Sequence, residues 1–173
     1  MKKLFALLLA LCLMWSVACA EESTVNWEDV QAVIESSGLE GDFWNLEDLG
    51  LDIWLPNDLQ EVEVSEEDAA AGRLALFMPA DQSAYLAVDV ANVEGMTLDQ
   101  FFANAQASEA EEVEMIHMNG LDAVVYKDAG NDLWSATLVD TNSNLINFIM
   151  GPASEEGSKD VFAIIISSLQ PED

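Results

Sequence analysis

The stretch VEMIHMNGLDAVVYKDAGNDLWSATLVDTNSNLINFIM, residues 113–150, has the clearest strand pattern of the sequence. It divides into four apolar runs that are separated by short loops rich in Asn, Asp, Gly and Ser. Asn119-Gly120 between two such runs is a strong β-hairpin signal, because both residues tolerate the positive φ angles of a tight turn. We therefore predict four consecutive antiparallel strands, at 113–118, 121–127, 133–140 and 145–150.

Helices are predicted on both sides of this stretch. Thr97 and Gln100 have the spacing of a capping box, and apolar residues recur at helical spacing up to Gln106. The C-terminal segment is apolar over a wide face as far as Leu169, with Ser154 or Ser158 as its N-cap. A helix with such a face is expected to lie flat on a sheet.

The first third of the chain contains weaker signals for both kinds of element. A polar lead at 21–25 is followed by a helix that begins after Asn26 and ends at Gly38. Segment 42–49 is turn-like with room for a short strand, and 65–71 has the pattern of one or two helical turns. Further strands are predicted at 51–55, around Val62 and Val64, at 74–78 and at 85–91. Together these elements predict an α+β fold, a largely antiparallel sheet of six to eight strands flanked by helices as an α/β/α sandwich.

Residues 1–20 have the parts of a secretory signal peptide. Lys2 and Lys3 precede an apolar run, and the small residues Ala18 and Ala20 end the segment. We predict cleavage after Ala20 and a secreted or otherwise extracytoplasmic protein. No later apolar run is long enough for a transmembrane segment.

Both cysteines, Cys12 and Cys19, lie within the predicted signal. Cleavage after Ala20 would leave a chain without a thiol nucleophile, a disulfide or a thiolate metal site. The less favoured alternative is a lipoprotein signal that makes Cys19 the lipid-anchored first residue. Ser16 stands where such signals usually have an aliphatic residue.

The charge is strongly one-sided. The 173 residues include 33 acidic and five basic ones, a formal net charge of −28 at pH 7. Removing the signal leaves only Arg73, Lys127 and Lys159 against all 33 acidic residues, a formal charge of −30. Nucleic acid is therefore excluded as a partner, because phosphate binding needs a surplus of cations. We expect a monomer, because like charges keep copies of the chain apart.

Four short motifs carry a family resemblance: GLDIWLP at 50–56, TLDQFF at 97–102, IHMNGLDA at 116–123 and IISSL at 165–169. In this order they resemble the PsbP-like α/β/α sandwich, which is shared by a photosystem extrinsic subunit, the Ran-binding Mog family and several bacterial exported proteins and lipoproteins. The resemblance covers about residues 43–169.

The resemblance implies one domain over 43–173, preceded by a lead and helix over 21–42. It also implies a non-catalytic binding or assembly module, and it supplies no catalytic residues. One position departs from the pattern: members often have an aromatic residue shortly after the early proline, and Leu59 stands there. Fold alone is a weak argument for function.

Candidate metal and catalytic residues are few. His117 is the only histidine, and one imidazole without cysteine is too small a ligand set for a common zinc site. The loop Asp128-Ala129-Gly130-Asn131-Asp132 and the acidic loop 109–112 offer oxygen ligands for calcium, but neither has EF-hand spacing. We therefore assign no catalytic, cofactor-binding or metal-binding residue and expect no cofactor.

Aromatic and acidic residues leave two alternatives open. Trp54, Tyr85 and Trp134 could stack on sugars if they were exposed, although their spacing favours packing in the core. A pair of the many carboxylates could serve an acid–base hydrolase. The favoured interpretation is an exported, non-enzymatic domain that binds an extracytoplasmic protein with a cationic surface. The alternatives are a small-ligand or carbohydrate binder with a sheet–helix cleft and, less favoured, the hydrolase.

Overall fold

The computed structural model describes residues 23–172. The predicted signal at 1–20 lies outside the described residues. Within them the chain forms eleven strands and four α-helices. The strands are β1 (Ser23–Val25), β2 (Gly41–Leu46), β3 (Leu51–Pro56), β4 (Gln60–Glu61), β5 (Arg73–Met78), β6 (Tyr85–Asn92), β7 (Glu111–Met118), β8 (Leu121–Asp128), β9 (Leu133–Val139), β10 (Asn144–Gly151) and β11 (Gln170–Pro171). The helices are α1 (Trp27–Ser37), α2 (Glu66–Ala70), α3 (Leu98–Ala107) and α4 (Ser158–Ser167).

The predicted α+β fold is confirmed. Eight strands form the large sheet in the order β1-β7-β8-β9-β10-β6-β5-β4, and every pair except the parallel β1–β7 pair is antiparallel. The four strands β7 to β10 are consecutive neighbours, as the loops between their apolar runs predicted. Asn119 has φ 49° and Gly120 has φ 83°, the left-handed values that this tight turn requires.

A second sheet was not predicted. β3 pairs with β2 and β11 in a separate three-stranded sheet, although its alternation suggested a strand of the main sheet. Alternating hydrophobicity identifies a strand but carries no information about its neighbours. Segment 42–49 was interpreted as turn-like with room for a short strand, and Gly41–Leu46 is that strand.

Three smaller predictions need correction. The strand expected around Val62 and Val64 is instead the short β4 at Gln60–Glu61. The polar lead contains β1, which pairs with β7 and supplies the one parallel contact of the large sheet. Of the predicted acidic loop at 109–112, Glu111 and Glu112 belong to β7. Short polar segments gain strand structure from a partner edge, so their own sequence does not reveal it.

Helix ends were predicted better than their caps. α3 has the complete Thr97–Gln100 capping box. Neither Ser154 nor Ser158 caps α4, whose N-cap position is Gly157 at φ 85°. Asn26 occupies the N-cap position of α1 without a side-chain cap bond. Asn119 Oδ1 accepts the hydrogen bond from the Trp27 backbone N–H instead, at 3.0 Å.

The main core lies between one face of the large sheet and the layer that contains α1, α4 and β3. Its largest fully buried side chains include Phe77, Phe148 and Phe162. Burying a side chain of this size is worth about 1.5–3 kcal/mol. The opposite face is covered by α3, where the rings of Phe101 and Tyr126 lie 6.1 Å apart. The architecture is thus the predicted sandwich of helices about a sheet.

Candidate functional site

An apolar groove of about 540 Å³ lies beside the N-terminal end of α4. We call it the acidic groove, because carboxylates surround it. It forms where β3 and β5 end, β6 begins and β10 ends. Its lining consists of Leu39, Pro56, Asp58, Leu59, Pro79, Ala80, Asp81, Ser83, Ala84, Tyr85, Met150, Gly151, Pro152, Glu155, Glu156, Gly157, Ser158 and Val161.

The groove has its shape because Gly151 has no side chain. A Cβ atom on Gly151 would lie 3.0 Å from Cε1 of Tyr85 and 2.8 Å from Cδ2 of Leu133. The Tyr85 ring therefore occupies space that any other residue at 151 would take. Burial raises the pKa of the Tyr85 phenol, so it is neutral at pH 7. Tyr85 thus presents an uncharged aromatic surface.

Four exposed carboxylates surround this apolar surface, and they come from three separate loops. Asp58 follows β3, Asp81 lies in the β5–β6 turn, and Glu155 and Glu156 lie in the loop before α4. Hydrogen bonds from the Ser83 hydroxyl and backbone N–H lower the pKa of Asp81. Asp81 is therefore ionised at neutral pH, and the groove is apolar inside and anionic around its margin.

The loop that carries Glu155 and Glu156 is held in place by Asp132. The Asp132 carboxylate accepts hydrogen bonds from the backbone N–H and the hydroxyl of Ser154, both at 2.7 Å. The Ala153 backbone N–H donates to the Asp132 carbonyl, also at 2.7 Å. Three hydrogen bonds to one residue order this loop before any ligand arrives, which lowers the entropic cost of binding.

The basic residues of the described part are engaged elsewhere. Arg73 donates two hydrogen bonds to Asp89, at 2.8 and 3.1 Å. Lys127 pairs with Glu111, and Lys159 pairs with Glu112. Both lysines also face the ring of Trp134, at 6.0 and 5.4 Å from its centre. None of these ion pairs includes a carboxylate of the acidic groove, so the groove keeps its negative charge.

His117 lies outside the groove lining. Its Nδ1 atom is 2.6 Å from Oδ1 of Asp122 across the β7–β8 pair, and both side chains are largely exposed. An exposed His–Asp pair on a sheet surface is adequately explained as a cross-strand contact. Within residues 23–172, Asp122 is the one hydrogen-bond partner recorded for the His117 side chain, so the structure shows neither a nucleophile nor a second metal ligand beside it.

Four carboxylates of the two loops considered for calcium, Asp128, Asp132, Glu111 and Glu112, have protein partners. Asp128 accepts hydrogen bonds from the backbone and side-chain N–H groups of Asn131, which lower its pKa. Asp132 binds Ser154 instead, and Glu111 and Glu112 bind lysines. Over residues 23–172 no group of three or more His, Asp or Glu side chains could hold a metal ion.

The three aromatic candidates divide. Trp54 is 5% exposed and Trp134 is 3% exposed, so both belong to the core. Tyr85 is not part of the buried core: it is the first residue of β6, it is partly exposed, and it lines the acidic groove. Leu59, the departure from the family pattern, also lines it. The sequence did not identify Asp58, Asp81, Glu155 and Glu156 as residues of one site. They lie in three separate loops, and no local pattern indicates that these loops are neighbours in the fold.

A second hollow of about 320 Å³ adjoins the acidic groove at Pro56 and Leu59, which line both. We call it the Trp44 hollow. Trp44 is 36% exposed there, and its ring also packs edge-on against the core residue Phe77. The further residues of its lining are Asp42, Leu55, Asn57, Gln60 and Glu61. The turn-like interpretation of 42–49, with room for a short strand, did not indicate that Trp44 would be an exposed residue of β2.

The arrangement suits binding better than acid–base chemistry. A carboxylic general acid needs a raised pKa, usually through burial. The four groove carboxylates are exposed, and hydrogen bonds shift the pKa of Asp81 in the opposite direction.

Within residues 23–172 no helix has the length and apolar character to cross a membrane.

The fold is similar to the PsbP-like α/β/α sandwich. The chain is similar to the solution structure of cyanobacterial PsbP (CyanoP) from Synechocystis sp. PCC 6803, with a TM-score of 0.55 and 16% identity. That match covers 77% of this chain and 93% of CyanoP. The family resemblance of the four motifs is therefore confirmed at the level of fold.

Two other solved structures are similar. A protein from Bacteroides thetaiotaomicron matches with a TM-score of 0.50 and 13% identity, over 78% of this chain and 50% of that one. The Ran-binding protein Mog1p from Saccharomyces cerevisiae matches with a TM-score of 0.48 and 10% identity, over 78% and 97%. No protein-family model and no curated protein matches the sequence. At these identities the likeness establishes the fold alone.

Proposed function

We propose that this protein is an exported, non-catalytic module that binds another extracytoplasmic protein through a cationic surface of that partner. One observation carries the proposal: an apolar groove is surrounded by four exposed carboxylates, while the three basic residues of the described part are paired elsewhere. A partner with Lys or Arg around an apolar side chain would complement both properties.

Charge would act chiefly on the rate of encounter. A surface this acidic attracts a cationic partner over a distance of about 10 Å at moderate salt, which raises the association rate. Apolar contact inside the groove would then slow dissociation. The chain remains a monomer in this proposal, because two copies repel each other before they meet.

The binding test uses the mature chain immobilised and exposed to the extracytoplasmic fraction of its source culture. We expect capture of a basic protein that is released as salt rises. Replacing Glu155 and Glu156 with Gln should weaken capture, whereas replacing the exposed Glu94 and Glu109 with Gln should leave it unchanged. Capture of no protein at low salt would refute the proposal.

Export has a separate test, since binding alone does not establish it. The intact mass of the protein isolated from its source should correspond to a chain that begins at Glu21. A mass with a diacylglyceryl group on Cys19 would establish the lipoprotein alternative. A mass that includes residues 1–20, measured on protein from the cytoplasm, would exclude export.

A small-ligand binder is the second candidate, because the volume of the groove is within the range of pockets that hold drug-sized molecules, about 300–1,000 Å³. Tyr85 and Met150 would provide its apolar contacts. A panel of neutral and cationic small molecules, oligosaccharides among them, tests this candidate by thermal shift. A shift that disappears in Val161→Trp, which fills the groove, would favour it over the protein partner.

A further inference from the structure

The acidic groove and the Trp44 hollow are neighbours on the surface, and we call the two together the path. They share Pro56 and Leu59, so these two side chains form the junction between them. Leu59 is 9% exposed and Pro56 is buried, which makes the junction a fixed part of the surface rather than a mobile loop tip. A path of this shape fits an elongated ligand.

Carboxylates stand at both ends of the path, and the two side chains that both cavities share, Pro56 and Leu59, are apolar. Glu155 and Glu156 stand at the groove end, and Asp42 and Glu61 stand at the hollow end. Trp44 adds a partly exposed aromatic face to the hollow end, and such a face attracts a guanidinium or ammonium group. The path thus combines carboxylates at both ends, Asp58 beside the junction, an apolar surface, and an exposed aromatic ring at the hollow end.

We propose that the path binds an extended segment of the partner protein, with Lys or Arg at both ends and apolar side chains between them. This inference rests on the proposed function and adds the conformation and chemistry of the bound segment. Apolar residues of the segment pack on Tyr85, Leu59 and Val161. One cation lies among the carboxylates before α4, and another lies between Trp44 and Glu61.

An extended octapeptide spans about 26 Å and serves as the probe. Three peptides are compared at about 150 mM salt by fluorescence anisotropy: alternating Lys and Leu, alternating Lys and Gly, and alternating Glu and Leu. We expect the Lys–Leu peptide to bind at least about tenfold more tightly than the Lys–Gly peptide. The Glu–Leu peptide should not bind.

Two pairs of matched variants locate the binding. Glu155→Lys with Glu156→Lys should weaken Lys–Leu binding at least about tenfold, while Glu94→Lys with Glu109→Lys should change it less than about twofold. Trp44→Ala should weaken it about fivefold, and Phe43→Ala, which removes the neighbouring exposed ring, should change it less than about twofold. Circular dichroism checks that each variant is folded, and Trp44→Phe replaces Trp44→Ala if the latter unfolds.

Each contrary outcome is informative. Equal weakening by both charge-reversal pairs would mean diffuse attraction to an acidic surface and would overturn the path. Equal affinity for the Lys–Leu and Lys–Gly peptides would show that the apolar middle is unused, and would also overturn it. Loss in the Glu155 and Glu156 variant with no effect at Trp44 would indicate a compact ligand in the groove. A natural partner whose capture depends on Glu155 and Glu156 but not on Trp44 would leave the proposed function intact and refute this path.

Discussion

The two ends of α4 differ in how much charge they expose to solvent. At the C-terminal end, Asn119 Nδ2 donates hydrogen bonds to the carbonyls of Ser167 and Leu169, at 3.0 and 2.8 Å, and its Oδ1 caps α1. Ser168 Oγ accepts from the Trp54 backbone N–H at 2.8 Å and donates to the Ile165 carbonyl at 2.6 Å. At the N-terminal end, α4 begins at Ser158 after Gly157, which provides no side-chain cap, and exposed carboxylates and the acidic groove lie beside it. Ser158 Oγ accepts from Trp134 Nε1 at 3.2 Å and donates to the Ala153 carbonyl at 2.9 Å, so the two ends differ in their exposed charge and not in having buried hydrogen bonds.

The difference separates stability from binding. The C-terminal end joins the large sheet, the small sheet and α1 through neutral hydrogen bonds between buried or half-buried groups. Breaking such bonds leaves buried polar groups unpaired, which costs about 1–3 kcal/mol each. The N-terminal end keeps its charged groups in water, where they contribute little to folding and are available to a partner. We expect substitutions at the two ends to have correspondingly different effects.

The largest effect is expected at Asn119. Asn119→Ala removes the cap of α1 and both bonds to the end of α4, and it places a residue without a polar side chain at a positive φ. The free energy of unfolding should fall by about 3 kcal/mol, measured by urea denaturation. Asn104→Ala, at an exposed position in α3, is the control and should cost nothing. A loss below about 1 kcal/mol at Asn119 would show that water replaces these bonds.

The next effect separates two adjacent buried serines. Ser168→Ala leaves the Trp54 N–H without its partner and should cost about 2 kcal/mol. Ser167 Oγ is buried with no hydrogen-bond partner, so Ser167→Ala should be neutral or stabilising by up to about 1 kcal/mol. Differential scanning calorimetry on both variants provides the comparison. Equal losses of stability in both variants would contradict the conclusion that Ser168 links α4 to β3 through its hydrogen bonds.

A smaller effect is expected at Glu114, which interacts electrostatically with Lys159 near the start of α4. Burial raises the pKa of Glu114, with Lys159 opposing and Glu112 reinforcing the shift. The folded state therefore binds this proton more tightly than the unfolded state, and the charged form lowers stability at neutral pH. Glu114→Gln should raise the melting temperature at pH 7.

The pH dependence of that gain is the decisive measurement. The advantage of Glu114→Gln over the wild type should shrink as pH falls through the raised pKa and vanish below the ordinary value of 4.5. Glu109→Gln is the exposed control and should show no such gain. A gain that is independent of pH would mean that altered packing, not charge, stabilises the variant. The Asn119 and Ser168 contacts have no titratable member and should not contribute to this dependence.

The smallest effect on stability is expected from Glu155 and Glu156. Replacing both with Gln should change the free energy of unfolding by less than about 0.5 kcal/mol, because both side chains are exposed. Any gain should diminish as salt is added, and the wild type itself should melt at a higher temperature in salt. A loss above about 1 kcal/mol would assign these residues to the fold and remove the contrast between the two ends of α4.

Local signals predicted much of the fold and little of the site. Thr97 and Gln100 specify the start of α3 by themselves, since the capping box lies within four residues. Asn119 was predicted as a turn residue, and its contacts with α1 and α4 lie at sequence separations of 92, 48 and 50 residues. No local pattern encodes contacts over such separations. The role of Asn119 in the turn could therefore be predicted, and its hydrogen bonds to α1 and α4 could not.

The sequence by itself determined the α+β class, the four consecutive strands β7 to β10, and a charge that favours cationic partners. Periodicity, turn residues and composition are local or summed properties, and they do not depend on which elements become neighbours. The tertiary structure alone decided that β3 joins a second sheet and that loops at 58, 81 and 155–156 meet around Tyr85. These loops are far apart in the sequence, and they come together only because distant segments of the chain pack against one another.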